Sequence, residues 1–249
     1  MNNLNNSLDG WLIINKDIGV TSRHVVNIIK KTLNVKKVGH AGTLDPFASG
    51  VLAIAIGKAT KTVNFVMGGI KKYEFTIKWG TSTDSHDIEG KITSISKEIP
   101  NDNNIKSVLD KFKGNILQKP PRFSAIKVNG IRAYNLAREG KKFSLKSRMV
   151  FLKSIKLNDN INKNNKNLSN FEVECGKGFY IRSLVRDICK KLGVDGYTIN
   201  LKRTESKPFK IKNSITVKKF LYLYKKNKWK NLCIPIYSVL NNIKYVGKQ

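Results

Sequence analysis

The sequence predicts an α+β fold: a mixed, largely antiparallel central sheet with flanking helices. Three observations predict it. Several segments alternate apolar and polar residues, most clearly Tyr73, Phe75, Ile77 and Trp79 against Glu74, Thr76 and Lys78; a strand with one covered and one solvated face has this period of two. Other segments place apolar residues at helical spacing. The strands are separated by loops as well as by helices, which does not suit an all-parallel sheet.

In order along the chain, Gly10-Trp-Leu-Ile-Ile-Asn15 reads as the first strand and residues 16–20 as a turn. Thr21 or Ser22 then caps a helix that carries Val25, Val26, Ile29 and Leu33 on one face. Residues 38–50 are too rich in glycine, and broken too soon by Pro46, for a helix or strand interior, so they form a shaped loop. Val51-Leu-Ala-Ile-Ala-Ile56 follows, short, apolar and bounded by Gly50 and Gly57, as suits a buried strand. Residues 60–67 read as a short helix and 73–79 as the clearest strand. Residues 81–87 are a polar loop to which no chemistry is assigned, and 88–90 turn into 91–95.

Residues 102–113 form a helix with Ile105, Val108, Leu109 and Phe112 inward. Pro120 and Pro121 bar a central strand after it. From 122 to 148 the chain is basic, with Arg132, Arg138, Lys141, Lys142 and Lys146 around Tyr134; charge alone suits a nucleic-acid-binding flap and a solvated hairpin equally. Residues 149–157 and 171–175 are strands, flanking an Asn/Lys-rich low-complexity loop at 158–170. Phe179-Tyr-Ile-Arg-Ser183 opens a helix with Ile181, Leu184, Ile188 and Leu192 inward. Arg182 falls in its first turn, where the helix dipole disfavours a cation, which points to a carboxylate facing it. Residues 214–224 read as a further helix.

At 249 residues with 40% hydrophobic and 9% aromatic content, the chain can bury a sizeable core. Its 47 basic residues oppose only 17 acidic ones, a net charge of +30. A polyanionic partner is the natural reading, and nucleic acid leads because no broad aromatic face accompanies a basic helix. No apolar run approaches the roughly 18 residues of a membrane span. Residues 1–7 show no signal-peptide pattern. Cys175, Cys189 and Cys233 are odd in number and widely spaced, so neither a disulfide framework nor a zinc site is expected. Together these point to a cytoplasmic protein with reduced thiols.

His40 and Asp45 share the loop at 38–50. Loops held by a rigid sheet are where reactive side chains concentrate, although Asp45-Pro46 is also a common turn pair. Rival motifs fail. Gly50 to Lys58 has the wrong spacing for a phosphate loop, Ser124-Ala-Ile-Lys127 lacks companion motifs, and His24, His40 and His86 show no metal-ligand spacing.

Gly39-His-Ala-Gly-Thr-Leu-Asp-Pro46, followed by Ala48-Ser-Gly-Val-Leu52, resembles the catalytic-loop motif of the TruB-type bacterial tRNA pseudouridine-55 synthase family. The resemblance recurs in Lys71-Lys-Tyr-Glu-Phe75, Gly178-Phe-Tyr-Ile-Arg182 and Leu201-Lys-Arg-Thr204, and covers residues 10–210. It implies a pseudouridine synthase fold with a central cleft, a catalytic domain over 10–210 and an RNA-binding insertion at 122–148. Residues 211–249 are then a short helical extension, too short for the family's C-terminal RNA-binding domain. It implies isomerisation of the T-loop uridine of tRNA, without metal or organic cofactor, by a monomer, with tRNA-folding chaperone activity possible on the same scaffold. In this resemblance Asp45 is the nucleophile and Arg182 its guanidinium partner, which would counter the cost of desolvating a carboxylate. Tyr73 stacks on the uracil and takes the final C5 proton. Tyr180 bonds the base, Leu201 walls the pocket, and His40 fills space left by flipped nucleotides. Lys16 also matches an RNA-binding position, with Asp17 where the family has Pro. Asp187-Ile-Cys189 replaces the family's Asp-Ile-Gly, from which only a packing consequence is expected.

Overall fold

The computed structural model describes residues 8–158 and 167–244. Residues 1–7, most of the low-complexity loop expected at 158–170, and residues 245–249 of the expected extension lie outside the described residues. Strand β1 (Gly10–Lys16) leads to helix α1 (Ser22–Leu33). Of its two possible caps, Thr21 performs the task, accepting the His24 N–H at 3.0 Å. The left-handed Asn34 ends the helix, its N–H reaching the Lys30 and Lys31 carbonyls.

Strands β2 (Val38–His40) and β3 (Ser49–Ile56) enclose the glycine-rich loop. Helix α2 (Val63–Gly68) precedes strand β4 (Lys71–Trp79), and β5 (Thr81–Thr83) pairs with β6 (Ile92–Ile95). Helix α3 (Asp102–Leu109) is capped by Asn101, which accepts the Asn104 N–H at 2.9 Å. Strand β7 (Gly114–Gln118) ends where the prolines begin. The basic stretch then contains a two-residue-per-strand hairpin, β8 (Lys127–Val128) with β9 (Ile131–Arg132), and helix α4 (Ala133–Arg138). Strands β10 (Arg148–Asn158) and β11 (Leu168–Cys175) follow; Leu168 to Asn170 are thus strand where a loop was expected. Helix α5 (Ile181–Leu192), strands β12 (Gly196–Ser206) and β13 (Phe209–Lys210), and helices α6 (Val217–Lys225) and α7 (Ile236–Lys244) complete the chain.

The chain forms two compact units, one of Met1–Tyr73 with Lys202–Gln249 and one of Glu74–Leu201. In the first unit β1 pairs antiparallel with β3, β2 also pairs antiparallel with β3, and β12 pairs parallel with β3 through Lys202↔Ser49 and Arg203↔Gly50. Val51 to Ile56 are fully buried, so the run's lack of alternation reflects cover on both faces. Trp11, Ile13, Val51, Phe209 and Val239 share this core, with the Trp11 and Phe209 rings 5.6 Å apart. The segment after α6 guards the outer edge of β1: Trp11 and Ile234 exchange backbone hydrogen bonds at 2.8 Å in each direction.

In the second unit the strand path is β12-β4-β11-β10-β7, with β10 antiparallel to both neighbours. The fold is therefore the mixed, mostly antiparallel α+β arrangement that the alternating strands predict. Phe75 stacks on Phe171 at 5.0 Å, and Trp79 Nε1 donates to Ser169 Oγ at 2.8 Å. Helix α5 buries Ile181, Leu184, Val185 and Ile188. Cys189 is buried as well, and burial pushes its thiol up to about 12. A Cβ on Gly196 would lie 2.8 Å from Cys189 Sγ, so the residue does have the packing role expected of it. All three cysteines are free. Among the described residues no helix is long and apolar enough to cross a membrane.

Candidate active site

Asp45, His40, Lys16 and Tyr73 belong to the first unit; Arg182, Tyr180 and Leu201 belong to the second. Asp45 sits on the loop between β2 and β3, and its neighbours on both sides are pinned. Before it, Ser22 Oγ donates to the Leu44 carbonyl and accepts the Leu44 N–H, each at 2.9 Å. After it, the Pro46 carbonyl accepts from the Gly19 N–H at 2.9 Å and from Lys16 Nζ at 3.2 Å. The Ala48 N–H closes the turn onto the Asp45 carbonyl at 3.1 Å. This resolves the two roles open to the start of α1: Thr21 caps, and Ser22 faces the loop.

Lys16, which the resemblance matches to an RNA-binding position, faces the protein interior. It is 0% exposed, and Nζ also bonds the carbonyls of Asp17 at 2.9 Å and Val20 at 2.7 Å. An ammonium so enclosed supports the loop from within.

A second buried cation lies deeper. Arg203 on β12 is 1% exposed; Nε donates to the Val51 carbonyl at 2.7 Å and Nη2 to the Gly42 carbonyl at 2.9 Å. The strand pairing that places it is possible because Gly50 has no side chain: a Cβ there would meet the Arg203 carbonyl at 2.2 Å, and its φ is +103°. Sequence reading passed Arg203 over as a label for Leu201. The alternation of β12, which puts it on the buried side, was the available signal.

His40 ends β2 opposite Ile54. Burial first, and the Arg203 charge second, hold its imidazole below the ordinary range, so it is neutral at pH 7. Its Nδ1 is buried without a hydrogen-bond partner among the described residues. Tyr73, on β4, is largely buried, as the alternation there predicts.

In the second unit Arg182 is 3% exposed in the first turn of α5. The carboxylate that its awkward position announces includes Asp87, whose Oδ2 lies 3.3 Å from Arg182 Nη1; Asp87 is also buried. Arg182 further donates to the Phe123 carbonyl at 2.9 Å and to the Ser85 carbonyl at 3.4 Å. Asp87 in turn accepts from Ser85 Oγ at 2.6 Å and from the Glu89 N–H at 3.0 Å. The polar loop at 81–87, assigned no chemistry from sequence, thus supplies a partner for a site residue. Between them His86 is pushed down to about 4, by burial first and then by Arg186 and Arg182.

Tyr180 is the N-cap of α5. Gln118 holds its backbone on both sides: Oε1 accepts the Tyr180 N–H at 2.9 Å and Nε2 donates to its carbonyl at 3.2 Å. The Arg148 guanidinium stands 5.2 Å from the Tyr180 ring centre, as in a cation–π contact. Leu201 is buried on β12. In the basic stretch Arg122 lies over Phe143 at 5.3 Å and Arg138 over Tyr134 at 5.8 Å, so part of its charge is used in local packing. Lys142 and Lys146 point to solvent.

Comparison with known proteins identifies the family. A family model described as TruB family pseudouridylate synthase (N terminal domain) matches residues 30–181. The chain is 44% identical over 238 residues to the tRNA pseudouridine synthase B of Ehrlichia chaffeensis, covering 96% of this chain and 80% of the relative. It is 48% identical over 202 residues to the protein of the same name from Bartonella quintana, covering 81% and 74%. Among solved structures, a chain of a Cbf5-Nop10-Gar1 complex superposes with a TM-score of 0.72 at 29% identity, over 94% of this chain; this chain spans 62% of that one. With a family model matched over residues 30–181, which include the aspartate loop, and relatives 44% and 48% identical over most of this chain, the chain belongs to the TruB family of pseudouridylate synthases.

Proposed function

We propose that this chain isomerises the T-loop uridine at position 55 of tRNA to pseudouridine. The pinning of Leu44 by Ser22 and of Pro46 by Lys16 and Gly19 supports this reading most directly. It fixes the backbone on both sides of a single aspartate, which is the pre-organisation a nucleophile needs.

In this reading Asp45 is the nucleophile. The C1′–N1 glycosidic bond breaks with its electron pair passing to the base, the uracil turns, a C1′–C5 bond forms as the bond made to the Asp45 carboxylate is released, and the C5 proton leaves through the Tyr73 oxygen while N1 gains a proton, so that the net change is an isomerisation. Arg182 stabilises negative charge at the reacting centre, Tyr180 and Leu201 hold the base, and neutral His40 occupies the space vacated when the nucleotide is flipped out. Flipping costs on the order of a few kcal/mol, offset by stacking in the pocket. The exposed lysines of residues 122–148 and the net charge of +30 supply sequence-independent affinity for the phosphate backbone. The protein acts as a monomer in the cytoplasm, with residues 10–210 as catalytic domain and 211–249 as an accessory extension.

The test is pseudouridine mapping on an unmodified tRNA transcript with only this protein added. Wild type forms product at the T-loop uridine. Asp45→Ala forms none and binds the transcript within a few-fold of wild type. Product from Asp45→Ala would remove the catalytic assignment; binding without product from wild type would leave an RNA chaperone.

A further inference from the structure

We propose that Arg203 is a positioning residue for the reaction, holding the Asp45 loop in its working shape by gripping it at both ends. The inference rests on the reaction proposed for Asp45. The Arg203 fork donates to Gly42 on the entering side of the loop, at 2.9 Å, and to Val51 on the leaving side, at 2.7 Å. One rigid, planar group therefore fixes the separation of the loop's two ends. A lysine, a point charge on a flexible stem, does not reproduce that geometry. Charge-assisted bonds of this kind are roughly twice as strong as neutral ones.

The surroundings are built to admit this side chain. Gly42 has φ +91°, and a Cβ on it would come within 3.3 Å of Arg203 Nη1. Gly50 lies opposite Arg203 in the parallel register and leaves its backbone no room for any side chain. Among the described residues no carboxylate lies within ion-pairing distance of Arg203. A buried cation without a counter-charge is costly. Merely tying two carbonyls would not require it, because neutral amide donors could do so. What a fixed positive charge adds is a field along a loop that carries an anion. That field is felt by His40, where the Arg203 charge opposes protonation. Arg203 acts through Gly42 and Val51 and is not itself a catalytic group.

The experiment measures single-turnover pseudouridine formation at saturating unmodified tRNA transcript, with transcript affinity and thermal melting measured in parallel, for wild type, Arg203→Lys and Arg203→Met. The expected result for Arg203→Met is a rate lowered on the order of 100-fold, the scale of a misplaced catalytic loop, with affinity within about threefold. Arg203→Lys recovers part of the loss, because it keeps the charge and one donor. The His40 imidazole, followed by NMR, titrates at higher pH in Arg203→Met than in wild type. A Met-variant rate within threefold of wild type would overturn the proposal. So would a loss confined to affinity, or equal losses in both variants with unchanged His40 titration. If Arg203→Met does not fold, Arg203→Lys decides: a rate about tenfold down at unchanged affinity supports the proposal, and an unchanged rate overturns it. Absence of product from wild type would fail the proposed function instead, so the two failures are distinguishable.

Discussion

Arg182 and Asp87 form an ion pair away from water, Nη1 to Oδ2 at 3.3 Å with each side chain 3% exposed. The loop carboxylate meets a guanidinium at the N-terminal turn of α5, where the helix dipole alone would repel it. Two carbonyls, the Ser85 hydroxyl and the Glu89 N–H extend the network, so both charges are hydrogen-bonded as well as paired.

Removing one member of such a pair strands the other. Asp87→Ala is expected to destabilise the fold by about 3–5 kcal/mol and to lower the rate by displacing Arg182. Urea denaturation and single-turnover rates test this. A variant as stable as wild type would show that the pair is not an energetic unit.

Lys16→Met leaves carbonyls of Asp17, Val20 and Pro46 without their buried donor. The expected cost is at least about 1–3 kcal/mol, with a lower rate because Pro46 adjoins Asp45. Transcript affinity should hardly change, since Lys16 is enclosed by protein. A selective loss of affinity would instead restore Lys16 to the RNA-binding set.

Stability should depend on pH through His86. Folding lowers its pKa from the ordinary 6.5 to about 4, so the unfolded chain takes up the proton first as pH falls. The contribution is full above 6.5, declines between 6.5 and about 4, and levels below. His40, also lowered, acts in the same direction. Urea midpoints measured from pH 7.5 to 4 should fall through that window, and His86→Asn should flatten the fall. Asn is chosen because His86 has φ +60°, a conformation Asn tolerates.

Lys142 and Lys146 are exposed, whereas Arg122 and Arg138 pack on aromatic rings. Each lysine that neutralises a phosphate contributes about 0.7–0.9 to the slope of log affinity against log salt. Replacing both with Ala should reduce that slope by about 1.5 and leave the saturated rate unchanged. An unaltered slope would assign the two lysines to a merely solvated surface.

The amino-acid sequence by itself determined several of the elements and the loop. Period-two alternation marked β4, the unbroken apolar run marked β3, and the density of glycine with Pro46 marked the Asp45 turn, because these are local consequences of side-chain direction and backbone freedom. It also announced, from one arginine in an unfavourable helical turn, that a carboxylate had to face it. Which carboxylates, and what holds the loop, were decided only in three dimensions. Asp87 lies far from Arg182 in the chain, and Arg203 lies farther still from Gly42 and Val51. Lys16 matches an RNA-binding position in sequence, and its enclosure follows only from β1 and the loop closing over it. Pairings of this kind arise from strand register and burial, which bring distant polar groups out of water together, and no local pattern encodes them.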